Sequence, residues 1–477
     1  MQAKVRMQSL AAGVTARYPS RERPLAHPPA GSDLAPVMGD YGFPLIGHLL
    51  SSIVEPLDFA RRRYARFGPV SWAGGVGFRI VSLMGPEALE TAWINKDKAF
   101  SSARGWAPVI GPFFHRGIML LDFDEHRDHR RIMQQAFTRS ALDGYLALMR
   151  PGIRRTLGNW PAAPRFPFYS SVKQLLLDQA AEVFVGTTLG PEADELATDF
   201  HATVHGGQAM IRADVPGGTW ARGLRARERL ERYFAAQIPA RRAGCGTDLF
   251  SMLCHSRGEH GERFSDTDIV NHMIFLLMAA HDTSAIAISM LVYELGRNTD
   301  WQGRLRDEAL HNANDELTLA DLDGGYPLLD AAFDEILRMY APAGTLFRQA
   351  LTDTEVAGHF IPRKSQVAIN VYASMRLADW WPDPDRFDPG RFLGGADARP
   401  VHRYAFAPFG GGVHKCLGQQ FADMNVKAVM HQVLRHFDWH VPAGYRPMMT
   451  WGTGPTPADG LPITLRSRGS EHRRSGT

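Results

Sequence analysis

The strongest constraint on this fold is one long apolar segment with a marked beginning. Ser265-Asp-Thr-Asp268 sets an N-capping serine three residues ahead of an acid, and an apolar helical pattern then runs through Leu295. A helix of that length traverses a whole domain, so the rest of the chain must pack around it. From about Glu125 to Asp315 the periodicity is almost wholly helical, broken by turn-rich stretches at Val215–Thr219 and Cys245–Asp248. Pro56–Phe67 reads as an earlier amphipathic helix. Strand-like runs are short: Val70–Trp72 and Phe78–Leu83 near the start, and others between Val356 and Val371. A Pro-rich irregular stretch from Trp381 to Pro408 precedes a last helix over Leu417–Val433. The pattern predicts a mainly α protein with a small β region.

Around this body the chain divides into three. Residues 1–54 are rich in Pro and Gly and read as an extended arm; residues 55–465 form the domain; residues 466–477 read as a disordered polar tail. A net charge of +3 excludes the concentrated positive field of a nucleic-acid binder. The three cysteines, Cys245, Cys254 and Cys416, are too few for a secreted disulfide framework, so a reducing, cytoplasmic setting is expected. The N-terminus has scattered charges and no apolar core, so neither a signal peptide nor a membrane anchor is expected there.

The most specific chemistry lies at Phe409-Gly-Gly-Gly-Val-His-Lys-Cys-Leu-Gly418. Consecutive glycines allow positive φ and a close approach to a flat ligand. A cysteine where the next helix begins has free N–H groups and a positive dipole end nearby, both of which favour thiolate. A thiolate is an electron-rich iron ligand, and Phe409 is placed to shield its sulfur. A buried structural thiol after a glycine turn is the competing reading. The spacing Phe-x-x-Gly-x-x-x-Cys-x-Gly closely resembles the haem signature of the cytochrome P450 family, with His414 where arginine or histidine is usual.

Three further segments extend the resemblance. Ala279-Ala-His-Asp-Thr-Ser284, within the long helix, resembles the family's oxygen-activation segment. A mid-helix threonine competes for a carbonyl one turn back, and an acid beside a hydroxyl can relay protons, which makes Asp282 and Thr283 the catalytic candidates. Glu335-Ile-Leu-Arg338 places an acid and a base on one helix face, and Phe387-Asp-Pro-Gly-Arg-Phe392 follows at the family's distance. The resemblance makes Glu335, Arg338 and Arg391 a structural triad beneath the haem. His126-Arg-Asp-His-Arg-Arg131 carries His126 and Arg130 at i,i+4, a spacing that can reach two carboxylates.

The resemblance covers residues 40 to 465 and implies a triangular helical prism with the long helix crossing the distal haem face. It implies haem b held non-covalently, with Cys416 on the metal and His126, Arg130, Ala279, Arg348, Phe409, Gly410, His414 and Gly418 around the cofactor. O2 is then the co-substrate, and NAD(P)H electrons arrive through a ferredoxin or flavodoxin with its reductase. Arg127, Arg131, Lys415 and Lys427 are expected to face that partner.

An apolar loop between Ser101 and Leu120 points to a lipophilic small molecule: Trp106, Ile110, Phe113, Phe114, Leu277, Ala280, Gly344, Leu346 and Thr456 are the candidate pocket. A terpenoid or steroid is the first expectation, a fatty acid the next. His281 is open between a proton-handling role and plain packing. A peroxide-driven or isomerising haem-thiolate enzyme, and a non-catalytic haem sensor, are the alternative readings.

Overall fold

The computed structural model describes residues 12, 13, 15 and 18–468, apart from 188, 210, 313–316, 395–401 and 452–453. Its axis is the predicted helix, which runs from Asp266 to Arg297 with Ser265 accepting the N–H of Asp268. Thr354–Val356, His359–Ile361 and Gln366–Asn370 are the late strands, and the final helix spans Gln419–His436. Most segments that are helical by periodicity are helical here, including Pro56–Phe67, Phe123–Gln134, Phe168–Ala180, Pro191–Gly207 and Thr219–Ala243, but Ala163–Pro167 within the expected helical body is a strand paired with Pro462–Ser467.

The β region is largest in a seven-stranded sheet in the order Arg23–Pro24, Met38–Asp40, Val70–Gly75, Phe78–Leu83, Gln366–Asn370, Thr345–Ala350, Phe100–Ser101, with three smaller sheets beside it among the described residues. Gln366–Asn370 pairs in parallel with Phe78–Leu83 and antiparallel with Thr345–Ala350, opposing Val367 to Arg348. One apolar core surrounds the long helix, and a second lies against the sheet.

Three expectations change. The N-terminal arm is not wholly extended, because Leu49–Val54 forms a helix at its end. Residues 466 and 467 belong to the strand Pro462–Ser467, paired with Phe437–His440, so the predicted tail begins too early; residues 469–477 lie outside the described set. The apolar stretch between Ser101 and Leu120 is a helix, Ser102–Phe114, despite Pro108 and Pro112. Ser101 caps it by accepting the N–H of Arg104. The two prolines argued for a loop, but an apolar face packed on the strand Thr345–Ala350 outweighs their lost bonds.

The long helix is the one described helix long and apolar enough to cross a membrane, and it is mostly buried within the fold. Between Asp268 and Gly296 every residue is buried except Met278, Ala279, Ala280 and Thr283. Within that span the helix is left partly uncovered only at this window.

Candidate active site

The glycine loop is shaped by its own neighbours. Gly412 has φ 62°, and a Cβ there would sit 1.9 Å from the carbonyl oxygen of Trp93. A Cβ at Gly411 would meet Tyr404 at 2.6 Å and Trp93 at 2.9 Å. Among protein atoms, the closeness that requires glycine at these two positions is to Trp93 and Tyr404. Gly410, with φ 71°, meets only Leu346 at 3.6 Å. The Cys416 N–H donates to the carbonyl of Phe409 at 2.9 Å and closes the loop.

Cys416 is surrounded by the fold, yet the residue stays accessible. Burial pushes its thiol up, while the Gly418 N–H, Arg130 and Lys415 pull it down without reversing the shift. The helix proper starts at Gln419, so the sulfur lies outside its first turn and gains less from the dipole than expected. The residues around it leave the thiolate to be stabilised by a metal ion, which deprotonates a coordinating thiol outright.

Beside the sulfur lies an uncompensated group of bases. The rings of His126 and His414 stack with centroids 3.9 Å apart. Arg348, buried on its strand, donates to Ser102 Oγ at 3.2 Å and to its neighbouring carbonyl, Phe347 O, at 2.8 Å. Among the described residues neither Arg130 nor Arg348 forms an ion pair, and the buried Nδ1 of His126 has no hydrogen-bond partner. The nearby acid, Asp122, is spent on the Ser101 hydroxyl and on the N–H groups of Ser102 and Ala103. Burial, then Arg130, pushes His126 down to about 4; burial pushes Arg348 down to about 10 and His414 well below the usual histidine range. Two buried and two half-buried bases that form no ion pair among the described residues suit a dianion, and two haem propionates fit them.

Opposite this cluster, the Thr283 hydroxyl donates to the carbonyl of Ala279 at 2.7 Å, the one-turn-back bond that its mid-helix position predicts. Asp282 turns to the other side of the helix, 3.0 Å from Lys173 Nζ and 3.2 Å from His281 Nδ1. Burial pushes its carboxyl up, but His281 and Lys173 outweigh this and hold it well below the ordinary carboxylate range. His281 is fully packed, its Nε2 donating to the carbonyl of Lys173 at 3.1 Å, with Phe200 and His201 beside its ring. Lys173 and His201 carry no local sequence signal. They come from helices distant in the chain.

The pocket candidates divide. Trp106, Ile110, Ala280, Gly344, Leu346 and Thr456 are half-buried, as wall residues of an inner surface are. Trp106 stands edge-on to Phe347 with centroids 5.1 Å apart. Leu277, Phe113 and Phe114 are buried among packed helices. Phe113 fills a notch between Gly206 and Gly223 and meets Trp220 edge-on at 4.8 Å. A helix turns residues one to four apart to different sides, so an apolar run does not line one wall.

Below the loop, Glu335 and Arg338 are both fully buried and doubly bonded at 2.6 and 2.9 Å. Arg338 also donates to the carbonyls of Met375 and Pro384, and Glu335 accepts the N–H of Asp388 at 2.9 Å. Arg391 approaches Glu335 at 3.5 Å. Sequence reading missed Arg376 and Trp381, which complete this layer: Arg376 binds Asp385, and Arg338 lies over the ring of Trp381. On the surface side, Arg127 and Arg131 are exposed and paired with Asp124 and Glu259, and Lys415 is exposed. Lys427 does not belong with them. It is buried between Asp330 and Asp423, because its aliphatic stem packs inside the last helix's core face.

Residues 37–454 match the family model described as Cytochrome P450. A curated relative, "Putative cytochrome P450 136" of Mycobacterium tuberculosis, is 42% identical over 454 residues, covering 94% of this chain and 92% of its own length. "Taxane 10-beta-hydroxylase" of Taxus cuspidata is 26% identical, covering 90% of this chain and 89% of its own. Among solved structures, a retinoic acid bound cyanobacterial CYP120A1 superimposes with a TM-score of 0.80 at 27% identity, over 89% of this chain and 98% of that one.

Proposed function

This chain belongs to the cytochrome P450 family, whose members are haem-thiolate monooxygenases using O2, and on that premise we propose how its own residues divide the work. Cys416 ligates the iron. His126, Arg130, Arg348 and His414 hold the propionates, and the observation that carries this is that they lie together and form no ion pair among the described residues. The bound haem supplies activation of O2 and insertion of one oxygen atom into a substrate C–H bond, the other atom leaving as water.

Asp282 and Thr283 handle the protons that this reduction consumes, Thr283 from the exposed window and Asp282 from behind it. Ala279, Ala280, Trp106, Leu346 and Thr456 present an apolar wall with few polar groups, which selects a lipophilic substrate. An isoprenoid, of the terpenoid or steroid class, is the proposed substrate; the similarity to a taxane hydroxylase and to a retinoic-acid-bound structure supports that choice. Electrons come from NAD(P)H through a separate ferredoxin or flavodoxin that docks on the face carrying Arg127, Arg131 and Lys415.

The test is spectroscopic. Reduced, CO-treated protein shows the red-shifted Soret band of a thiolate ligand, and Cys416→Ala abolishes it; a band unchanged by that substitution removes Cys416 from the iron. Retinoids, taxanes and sterols are then titrated against the ferric Soret band. No shift with any of them, but a shift with fatty acids, rejects the isoprenoid assignment.

A further inference from the structure

The mechanism above uses Asp282 and Thr283 but leaves the buried histidine beside them without a task. His281 Nε2 lies 3.1 Å from the carbonyl oxygen of Lys173, and a carbonyl can only accept. Nε2 therefore carries hydrogen. Nδ1 is then the ring's remaining nitrogen, 3.2 Å from Asp282 Oδ1. Were Nδ1 a bare lone pair, it would face a carboxylate oxygen inside the protein, an arrangement of two acceptors that costs free energy. A proton on Nδ1 removes the conflict.

We propose that His281 holds at Nδ1 a transferable proton for Asp282, and that His201 of the helix Pro191–Gly207 resupplies it. The proposal rests on the reading of Asp282 and Thr283 as the proton-handling pair and extends that pair outward. In the transfer, the Nδ1–H bond of His281 breaks and an O–H bond forms on Asp282, with no change in electron count. The vacated Nδ1 is reprotonated through His201, whose ring centroid is 5.5 Å away.

His201 is half-buried, and His205, one turn further along the same helix, is exposed, so the three histidines form a graded series from solvent to the mid-helix. The groups facing His281 are Asp282 on its own helix, Lys173 on the helix Phe168–Ala180, and Phe200 with His201 on the helix Pro191–Gly207. Lys173 competes for the same Asp282 oxygen at 3.0 Å. It keeps the carboxylate charged between transfers and makes it a poor thief of the histidine's proton until electrons arrive.

The experiment compares wild type with His281→Phe, which keeps a packed ring, and His281→Gln, which keeps a donor for the Lys173 carbonyl. In both variants, product formed per NAD(P)H oxidised falls by about tenfold. The missing electrons appear as released peroxide, and the solvent deuterium isotope effect rises. His201→Phe shows the same change at smaller size. A readout independent of turnover is nitrogen-15 spectroscopy of the ferric protein, in which Nδ1 of His281 carries hydrogen. Full coupling in His281→Gln would mean that the bond to Lys173 was all that mattered, and would overturn the proposal. So would spectra showing Nδ1 bare from about pH 6 to 8. A missing thiolate CO band in wild type would instead sink the reading of Cys416, and the nitrogen-15 result would still decide His281.

Discussion

Two basic clusters, one around Glu335 and one around Cys416, have opposite designs. Around Glu335, the arginines Arg338 and Arg391 meet a carboxylate and several carbonyls, so their charge is balanced inside the protein. Around Cys416, Arg130, Arg348, His126 and His414 form no ion pair among the described residues, the nearby Asp122 being bonded to Ser101, Ser102 and Ala103, and burial weakens the charged form of each. A protein that folds for stability alone neutralises its buried charge, as the first cluster does. The second cluster is neutralised only by a ligand, so its bases mark where function costs stability.

Removing the balance from the first cluster should give the largest effect. Glu335→Gln leaves Arg338 charged at 0% exposure, and breaking such a buried pair costs about 3–5 kcal/mol. Denaturant unfolding should show this loss equally with and without haem; a loss confined to the haem-loaded protein would mean that the triad serves the cofactor directly.

The second cluster should respond in the opposite sense. Arg348→Met removes an unbalanced buried cation, so the haem-free protein is unchanged or more stable, while haem dissociates about 10- to 100-fold faster. Haem transfer to a scavenging globin measures the rate. Equal destabilisation of the haem-free protein would erase the contrast between the clusters.

Acid should expose the same difference more gently. His126 takes up a proton near 6.5 when unfolded but only near about 4 when folded, so unfolding binds a proton between those values. The stability of its neutral form is full above pH 6.5 and falls as pH drops towards 4. His272, buried against His129 and pushed down to about 3, adds to the loss with the same sign. Thermal melts over this range should fall more steeply for haem-free than for haem-loaded protein, because propionates supply the missing acid.

The smallest effect belongs to the surface. Arg127→Glu replaces an exposed side chain paired with Asp124 at 3.1 Å, so stability changes by less than about 0.5 kcal/mol. The rate of reduction by the redox partner should fall a few-fold at low ionic strength and recover in salt. A reduction rate independent of salt in both proteins would move the docking face elsewhere.

Much of this was legible before any coordinates. The long helix and its serine cap, the cysteine loop, and the i,i+3 and i,i+4 pairs at Glu335–Arg338 and His126–Arg130 are each written within ten or so residues, where backbone geometry alone sets the spacing. The helix Ser102–Phe114 was not, because its prolines argue locally for a loop and its packing on a distant strand decides otherwise. Lys427 read as a surface charge for the same reason: nothing in its own segment announces Asp330 on another helix.

Lys173, His201, Arg376 and Trp381 were likewise invisible, since each matters only through a partner that the chain brings back from far away. The sequence by itself determined the long helix and the positions of Cys416, Asp282 and Thr283 as candidates, because those depend on residue type and local spacing. Only the tertiary structure decided which charges are balanced and which wait for a ligand. Coulomb energy and desolvation depend on distance and burial in space, and neither can be read along the chain.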